Sequence, residues 1–259
     1  MSYIEIILLG LVQGLTEFFP VSSSGHLLIS KILFNIEDSS LLFDIVLHLG
    51  TLVSIIIFWK NDIISEFKDV NFLSKIFIAC IPAGIIGLCF KEFIQSFFFI
   101  INDYSIFPKF LIINYLIMGL LIYITKYYHN NDKKELTYKV AICIGIAQVF
   151  ALMPGISRSG ITIIMALILG CDFKTSFKFS FYLSIPIIFF AGLESLFSSY
   201  RLLSLDNGLI LIFGFISSAV FGYIILGILS LIIQKQKYWY FSFYCLFTSI
   251  ILMVYNYGF

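Results

Sequence analysis

The sequence predicts an all-α polytopic membrane protein arranged as an inverted repeat, in which each half has one re-entrant helix hairpin plus three transmembrane helices. Hydrophobic residues make up 60% of the 259 residues and charged residues only 12%, a composition far from that of soluble domains. Six stretches are apolar for long enough to cross a bilayer, which takes about 20 residues. Two further stretches have that length but carry a proline and a serine cluster in the middle.

Charged and polar residues separate the six predicted spans. The spans cover about 41–59, 73–92, 109–126, 177–197, 208–233 and 238–257. The net charge is only +1, so the composition argues against nucleic acid as a partner. The five cysteines form no CxxC pair and are expected to be small packing residues rather than disulfide or metal partners.

The two broken segments, 3–34 and 138–171, predict re-entrant hairpins. Pro20 and Pro154 each remove a helical N–H and clash with the preceding turn, so each segment is expected to form two short helices that enter the membrane and return. Broken backbone at bilayer depth is tolerated only where protein buries it or water fills a cavity. We therefore expect the polar groups of both breaks to face a shared cavity rather than lipid.

The two halves of the chain share landmarks at one constant spacing. Gly10, Gln13, Ser22, Ser24 and Gly25 recur as Gly145, Gln148, Ser157, Ser159 and Gly160. Chance recurrence of glycine and serine in a chain of low diversity is the alternative to duplication. Duplication predicts a single membrane domain, 1–259, that consists of repeat one at about 1–128, a hydrophilic linker at 129–139 and repeat two at about 140–259.

The odd number of spans in each repeat predicts that the second repeat is inverted relative to the first, as in many transporters. Eleven lysines fall on the side of the linker, and the other side has only Lys31, Lys91, Lys109 and Arg201. Because basic residues are in excess on the cytoplasmic side of membrane proteins, we expect the linker in the cytoplasm and both termini outside. The first hairpin then enters from outside and the second from inside.

The second break, PGISRSGIT at 154–162, predicts a phosphate-binding site. Arg158 lies at bilayer depth, where a charge costs about 2.5–3.5 kcal/mol and therefore needs a partner and usually a function. A helix that starts near Ser159 would add its positive dipole end, and neighbouring residues can present N–H and O–H groups to an oxyanion. These neighbours are Gly155, Ser157, Ser159, Gly160 and Thr162. A structural ion pair between Arg158 and Glu17 is the alternative, and the two roles can coexist.

The first break, QGLTEFFPVSSSGH at 13–26, supplies groups for a reaction. Ser23 and His26 are three residues apart and would share a face of a helix that starts at the serine cluster. Gln13 and Glu17 share a face of the helix before the break, and the hairpin can bring Glu17 towards His26. In one interpretation, Ser23 is the nucleophile, His26 transfers the proton and Glu17 orients the histidine. In the other, Glu17 holds a divalent cation that bridges phosphates.

Both motifs resemble those of the bacterial undecaprenyl-pyrophosphate phosphatases, the bacitracin-resistance family, and the resemblance extends over essentially the whole chain. It implies a hydrolase of the bacterial inner membrane that converts undecaprenyl pyrophosphate, a polyprenyl pyrophosphate lipid, to the monophosphate plus inorganic phosphate. This reaction would recycle the lipid carrier for cell-wall synthesis and confer bacitracin resistance. The resemblance also implies a divalent cation, Mg or Ca, and site residues that comprise Glu17, Ser23, His26 and Arg158 as catalytic groups and Ser22, Ser24, Ser157, Ser159 and Thr162 around the phosphate.

The chain departs from the pattern of that family at three positions. The first acidic position of the family's motif is Gln13 here, which puts in doubt a metal role shared by two carboxylates and leaves Gln13 to support Glu17. His48 stands where a glutamine is expected, and we interpret it as a packed polar residue of a span, with a hydrogen-bonding residue of the pocket as the alternative. Lys178 stands where a glutamate is often found, and we interpret it as an anchor at the cytoplasmic face.

Two other classes of function fit parts of the sequence. An inverted repeat with broken helices also suits a transporter or flippase of an anionic polyprenyl lipid, but that function has less use for Ser23 and His26 beside Glu17. A membrane phosphatase of the acid-phosphatase type would need a lysine/arginine motif and a second histidine motif, and the sequence contains neither. A monomer and a homodimer both remain open for the assembly of the chain.

Overall fold

The computed structural model describes residues 1–36, 41–89, 107–128, 135–199, 205–234 and 237–257. This part of the chain contains eleven α-helices and no β-strand, which confirms the predicted all-α class. In chain order the helices are α1 (Tyr3–Thr16), α2 (Ser23–Leu33), α3 (Leu41–Phe58), α4 (Lys60–Glu66), α5 (Val70–Cys89), α6 (Phe107–Ile124), α7 (Tyr138–Val149), α8 (Arg158–Ile168), α9 (Phe173–Ser199), α10 (Leu205–Gln234) and α11 (Phe241–Tyr257). Most of the predicted linker, 129–134, lies outside the described residues.

Five of the described helices are long and apolar enough to cross a bilayer, namely α5, α6, α9, α10 and α11. They correspond to five of the six predicted spans, although residues 90–92 of the second span lie outside the described residues. The first predicted span, 41–59, is α3. This helix is long and apolar enough to cross a bilayer only together with α4. The two helices are bent by 81° relative to each other at Trp59. The described residues therefore hold five or six candidate spans, as expected of a polytopic membrane protein.

The two segments with a central proline form pairs of short helices. α1 and α2 have 14 and 11 residues, and α7 and α8 have 12 and 11. At about 1.5 Å per residue even α1 reaches only about 21 Å, which is less than the roughly 30 Å of a hydrocarbon core. α1 packs against α2, and α7 packs against α8, so each pair stays together across the break that contains Pro20 or Pro154.

The second helix of each pair begins in the same way. Ser22 is the N-cap of α2, and its hydroxyl accepts a hydrogen bond from the N–H of Gly25. Ser157 is the N-cap of α8, and its hydroxyl accepts one from the N–H of Gly160. An N-cap hydroxyl satisfies an N–H that has no partner inside the helix. Both serine clusters therefore stand at the start of a helix.

Glycines allow α1 and α7 each to pack closely against a long helix. A Cβ atom on Gly10 of α1 would lie 1.8 Å from Ser217 Oγ of α10, and one on Gly145 of α7 would lie 2.4 Å from the carbonyl oxygen of Ala79 of α5. Only glycine allows these approaches. α1 thus packs against α10 and α7 against α5, while α3 lies against α9 and α10, and α6 lies against α11.

Candidate active site

A cavity of about 200 Å³ lies where the two breaks meet α3 and α9. Its polar wall comes mainly from the breaks and contains Glu17, Ser22, Ser23, Ser24, Ser157, Arg158 and Ser159. Its apolar wall comes mainly from α3 and α9 and contains Ile45, Ile187, Ile188 and Ala191. A cavity with one charged wall and one apolar wall suits an amphipathic ligand.

Glu17 is the centre of the polar wall. Its side chain is buried, with only 7% of the residue exposed, and both carboxylate oxygens have partners. Oε1 accepts a hydrogen bond from Arg158 Nη2 at 2.7 Å. Oε2 accepts from Ser23 Oγ at 2.7 Å and from Gln13 Nε2 at 3.0 Å, and His48 Nδ1 lies 2.9 Å from the same oxygen. These partners replace the water that a buried carboxylate loses.

Arg158 is the first residue of α8 and follows the Ser157 N-cap. The contact of Arg158 Nη2 with Glu17 Oε1 confirms the predicted ion pair. Arg158 Nη1 also donates to the carbonyl oxygen of Ser180 in α9 at 3.4 Å. A guanidinium has five N–H donors, so donors of Arg158 remain for a ligand in the cavity that it lines.

A further hydrogen bond joins the two breaks beside Ser23. Ser22 has a φ of 66°, a left-handed conformation that is uncommon outside glycine, and its hydroxyl accepts from the N–H of Gly155 at 3.1 Å. Gly155 has a φ of +88°, and a Cβ atom there would lie 2.8 Å from Asn114 Cβ. Asn114 in turn donates to the carbonyl oxygen of Pro154 at 2.6 Å. Strained backbone next to a reactive side chain is a common feature of functional sites.

His26 does not reach Glu17, so the predicted contact between them is wrong. Its Nδ1 lies 2.8 Å from the carbonyl oxygen of Ser22 and 2.8 Å from Tyr115 Oη, and its Nε2 lies 2.8 Å from Tyr244 Oη. These two tyrosines, on α6 and α11, hold the imidazole, and His26 is not among the residues that line the cavity. Neither tyrosine could be assigned to the site from the sequence, because no sequence feature indicates that α6 and α11 lie beside α2.

His48 of α3 is a hydrogen-bonding residue of the pocket, so the alternative interpretation is confirmed and the interpretation as a packed polar residue is wrong. It lines the cavity, and its Nδ1 lies 2.7 Å from Gln13 Nε2 as well as 2.9 Å from Glu17 Oε2. A signal was present in the sequence, since Asp44 and His48 are one turn apart in the same span. Ionisable residues within a span usually face a cavity or a partner.

Comparison with known proteins identifies the family. The model of the family described as bacitracin resistance protein BacA matches residues 6–251. The chain belongs to this family. Similar proteins include the undecaprenyl-diphosphatase of Halothermothrix orenii, which is 37% identical over 261 residues with 98% of both chains covered. That of Treponema denticola is 37% identical over 275 residues, with 100% of this chain and 99% of the relative covered. That of Methanobrevibacter smithii is 34% identical over 279 residues, with 98% of both chains covered.

The resemblance predicted from the two motifs is thus confirmed for this BacA family member. Besides His26, four residues predicted for the site lie outside the cavity lining and bond to the residues of its polar wall or to their neighbours. Gln13 donates a hydrogen bond to Glu17. Gly155 and Gly160 donate their N–H groups to the two N-cap serines. The hydroxyl of Thr162 bonds to the Arg158 carbonyl oxygen and to Ser180 Oγ. The Thr162 hydroxyl is therefore already occupied.

Proposed function

We propose that this BacA family member is an undecaprenyl-diphosphatase, which hydrolyses undecaprenyl diphosphate to undecaprenyl phosphate and inorganic phosphate. Membership of the family and the activity named for its relatives support the proposal. The main structural support for the proposal is the position of Ser23. Its Oγ lies 2.7 Å from Glu17 Oε2 in a cavity that Arg158 also lines. The reaction recycles the lipid carrier for cell-wall synthesis, which fits the bacitracin resistance in the family's description.

The first chemical step is attack of Ser23 Oγ on the terminal phosphorus of the diphosphate. The Ser23 proton moves to Glu17, the bond between the terminal phosphorus and the bridging oxygen breaks, and undecaprenyl phosphate leaves with the bonding electron pair and the proton from Glu17. Water then attacks the phosphoserine. It gives a proton to Glu17, which passes it to the Ser23 oxygen as inorganic phosphate leaves. A positioned base contributes about 10²–10⁴-fold to such a step, and a serine nucleophile divides one difficult displacement into two.

Arg158 and the start of α8 hold the diphosphate. The guanidinium can bind two phosphate oxygens in a fixed fork, and the N-terminus of α8 adds its positive dipole end. Ser157 and Ser159 line the same wall and can donate hydroxyl hydrogen bonds. Charge that develops on the departing phosphate strengthens these contacts, so they act mainly on the transition state.

The apolar wall of the cavity indicates where the lipid leaves the site. Ile45 of α3 and Ile187, Ile188 and Ala191 of α9 face the polar wall across the cavity. An undecaprenyl tail gains free energy by staying in contact with apolar groups. The tail therefore stays in the bilayer on the side of α3 and α9, while the headgroup enters the cavity.

His26 acts as a positioning residue in this account. Its Nδ1 lies 2.8 Å from the carbonyl oxygen of Ser22, the residue before the nucleophile, and Tyr115 holds the ring through the same nitrogen. Tyr115→Phe should therefore lower kcat for phosphate release and leave KM unchanged. A change in KM alone would show that the ring contacts substrate instead.

A divalent cation fits the donor set on the α1 side of the cavity. Glu17 would hold it, because its carboxylate is the one acidic group among the cavity-lining residues. Gln13 supports this assignment, because its amide lies beside the Glu17 carboxylate and an amide oxygen is a suitable ligand for Mg²⁺ or Ca²⁺. A bound cation would neutralise negative charge on the diphosphate.

We further propose that the helices form an inverted repeat in the bacterial inner membrane. Contacts between the two halves support this arrangement, because α1 of the first half packs on α10 of the second, and α7 of the second half packs on α5 of the first. The first hairpin helix of each half thus contacts the second long span of the other half. The matching N-caps, Ser22 and Ser157, have the same relationship to their helices.

Contacts at the helix ends support re-entrant hairpins that open to opposite faces. Lys31 near the end of α2 pairs with Asp44 near the start of α3 at 2.6 Å, so the first hairpin returns to the face where α3 begins. At the other end of α3, Glu66 of α4 pairs with Lys178 near the start of α9, directly after the second hairpin. The face with Lys178 has the excess of lysines and would be cytoplasmic, in agreement with the predicted anchor role of Lys178.

The test of the proposed function uses purified protein in detergent with undecaprenyl diphosphate as substrate. We expect equal amounts of undecaprenyl phosphate and inorganic phosphate, loss of activity with EDTA, and recovery with Mg²⁺ or Ca²⁺. A flippase would instead move the lipid between leaflets of a vesicle without releasing phosphate. Lipid movement with no phosphate release would contradict the proposal.

A further inference from the structure

Three side-chain atoms beside the cavity form a closed triangle. His48 Nδ1 lies 2.9 Å from Glu17 Oε2, Gln13 Nε2 lies 3.0 Å from that same oxygen, and Gln13 Nε2 lies 2.7 Å from His48 Nδ1. Gln13 is 0% exposed. Its other amide atom, Oε1, is buried and has no hydrogen-bond partner.

Hydrogen bonds alone do not satisfy all three sides of this triangle. If Nδ1 of His48 carries a proton, it donates to Glu17 but meets the N–H of Gln13 as a second donor. If Nδ1 carries no proton, it accepts from Gln13 but faces the carboxylate oxygen as a second acceptor. One contact is unfavourable in either tautomer. The buried Oε1 of Gln13 also stays unpaired, which leaves a polar group without compensation for its lost water.

A divalent cation would give His48 Nδ1, Glu17 Oε2 and the amide oxygen of Gln13 a common partner. Turning the Gln13 amide about its last bond exchanges Oε1 and Nε2, which have nearly the same shape, and so directs three lone pairs into the triangle. Neighbouring ligands at right angles around a cation bound at about 2.0–2.1 Å lie about 2.9 Å apart. The three sides are 2.7, 2.9 and 3.0 Å. We infer that His48 Nδ1 is a ligand of the divalent cation, together with Glu17 and Gln13, an inference that rests on the proposed function for the presence of that cation.

The charged groups around the triangle are compatible with this assignment. Arg158 binds Oε1 of Glu17, the carboxylate oxygen that is not part of the triangle. Asp44, one turn before His48 on α3, is paired with Lys31. The carboxylate of Glu17 supplies one negative charge to the cation, and the diphosphate would add further negative charge when it binds, as substrate phosphates do in many Mg²⁺ sites.

A nitrogen ligand changes which cation the site prefers. Oxygen ligands suit Mg²⁺, Ca²⁺ and Mn²⁺, whereas imidazole also suits later first-row metals, whose affinity rises from Mn²⁺ to Co²⁺. We therefore expect the protein to bind Co²⁺ more tightly than Mn²⁺, and both more tightly than Mg²⁺. His48→Gln should reduce this difference, because it replaces the nitrogen ligand with an amide.

The experiment uses the full chain, purified without a histidine tag and freed of metal, with Mn²⁺ alone as the probe and no lipid substrate. Electron paramagnetic resonance counts bound Mn²⁺, and its pulsed form detects a coordinated imidazole nitrogen. We expect one bound Mn²⁺ with a nitrogen signal. His48→Gln should lose the signal and bind Mn²⁺ at least about tenfold more weakly. The matched control is His26→Gln, which alters a histidine outside the cavity lining and should change neither result.

Three results would overturn the inference: no bound Mn²⁺, bound Mn²⁺ without a nitrogen signal, or a nitrogen signal that persists in His48→Gln. If His48→Gln fails to fold, Gln13→Leu provides the second test, since it should weaken Mn²⁺ binding and keep the nitrogen signal. Phosphate release is measured separately. A protein that hydrolyses undecaprenyl diphosphate but binds no Mn²⁺ would contradict this inference and leave the proposed function intact.

Discussion

The Ser23 hydroxyl donates to Glu17 Oε2 at 2.7 Å, across the break between α1 and α2. Ser23 is the first residue of α2 and Glu17 is the C-cap of α1, so the break itself brings the proposed nucleophile to the proposed base. Arg158 of the second hairpin binds the other oxygen of the same carboxylate. Two pairs of helices, each helix too short to cross a bilayer, thus form one site where their breaks meet.

Replacement of Glu17 tests its role as the base. Glu17→Gln should lower kcat for phosphate release by about 10²–10⁴-fold, because an amide cannot accept the Ser23 proton. The matched control is Glu5→Gln on the same helix, since Glu5 completes the N-terminal capping box of α1 and glutamine fills that position equally well. Hydrolysis near the native rate by a folded Glu17→Gln protein would assign the base to another residue.

Arg158 distinguishes phosphate binding from a purely structural ion pair. Arg158→Lys keeps a positive charge for Glu17 but loses the fork that holds two phosphate oxygens, so we expect a loss of about 10²–10³-fold in kcat with the fold retained. Arg158→Ala should be less active still, and less stable. Phosphate release and thermal unfolding in detergent are measured for both variants. Full activity of Arg158→Lys, with failure of Arg158→Ala by unfolding alone, would make the arginine a structural counter-ion.

The close approach of α7 to α5 predicts a difference between two glycine substitutions. A Cβ atom on Gly145 would lie 2.4 Å from the backbone oxygen of Ala79, whereas one on Gly87 of α5 has no atom of the described residues within 4 Å. Gly145→Ala should reduce the free energy of unfolding by about 1–3 kcal/mol. Gly87→Ala should raise it by up to about 1 kcal/mol, because alanine is the better helix former. Thermal unfolding of the two variants checks this order, and equal melting temperatures would contradict the packing.

Labelling of single cysteines tests the inverted repeat. In a protein whose native cysteines have been replaced, cysteines at 129–139 should react with impermeant thiol reagents only from the cytoplasmic side. Cysteines near Phe259 should react only from outside. Replacement of the native thiols is necessary because Cys89 is exposed. Labelling of both regions from the same face would exclude an odd number of spans in the second half.

The structure could be predicted best where neighbouring residues in the sequence determine the local backbone conformation. Pro20 and Pro154 each remove a backbone donor and a serine caps the helix that follows, so both pairs of short helices could be predicted from this combination. Proline alone is not sufficient, since Pro82 and Pro186 lie inside α5 and α9. Arg158 could be paired with Glu17 because a charge at bilayer depth needs an opposite charge, and few candidates exist in an apolar chain. The bend between α3 and α4 was not predicted, since no proline or glycine stands at Trp59.

The misassigned histidines show the limit of sequence spacing. Ser23 and His26 are three residues apart, yet the ring of His26 lies beside Tyr115 and Tyr244, whose helices contact α2 only in the folded protein. For His48, the sequence leaves packing and hydrogen bonding in the pocket both open, because Asp44 is the only charged residue near it in the span. Its partners, Gln13 and Glu17, come from a different helix pair.

A comparison of two neighbouring serines tests the central claim, that Ser23 is the nucleophile, most directly. Ser23 and Ser24 both line the cavity, but the Ser23 hydroxyl donates to Glu17 while that of Ser24 lies 3.3 Å from Ser22 Oγ. Undecaprenyl diphosphate with a radiolabelled terminal phosphate is mixed with each protein and quenched in acid. We predict label on the native and Ser24→Ala proteins, and neither label nor phosphate release with Ser23→Ala. Phosphate release by Ser23→Ala at a rate close to that of Ser24→Ala would contradict the account.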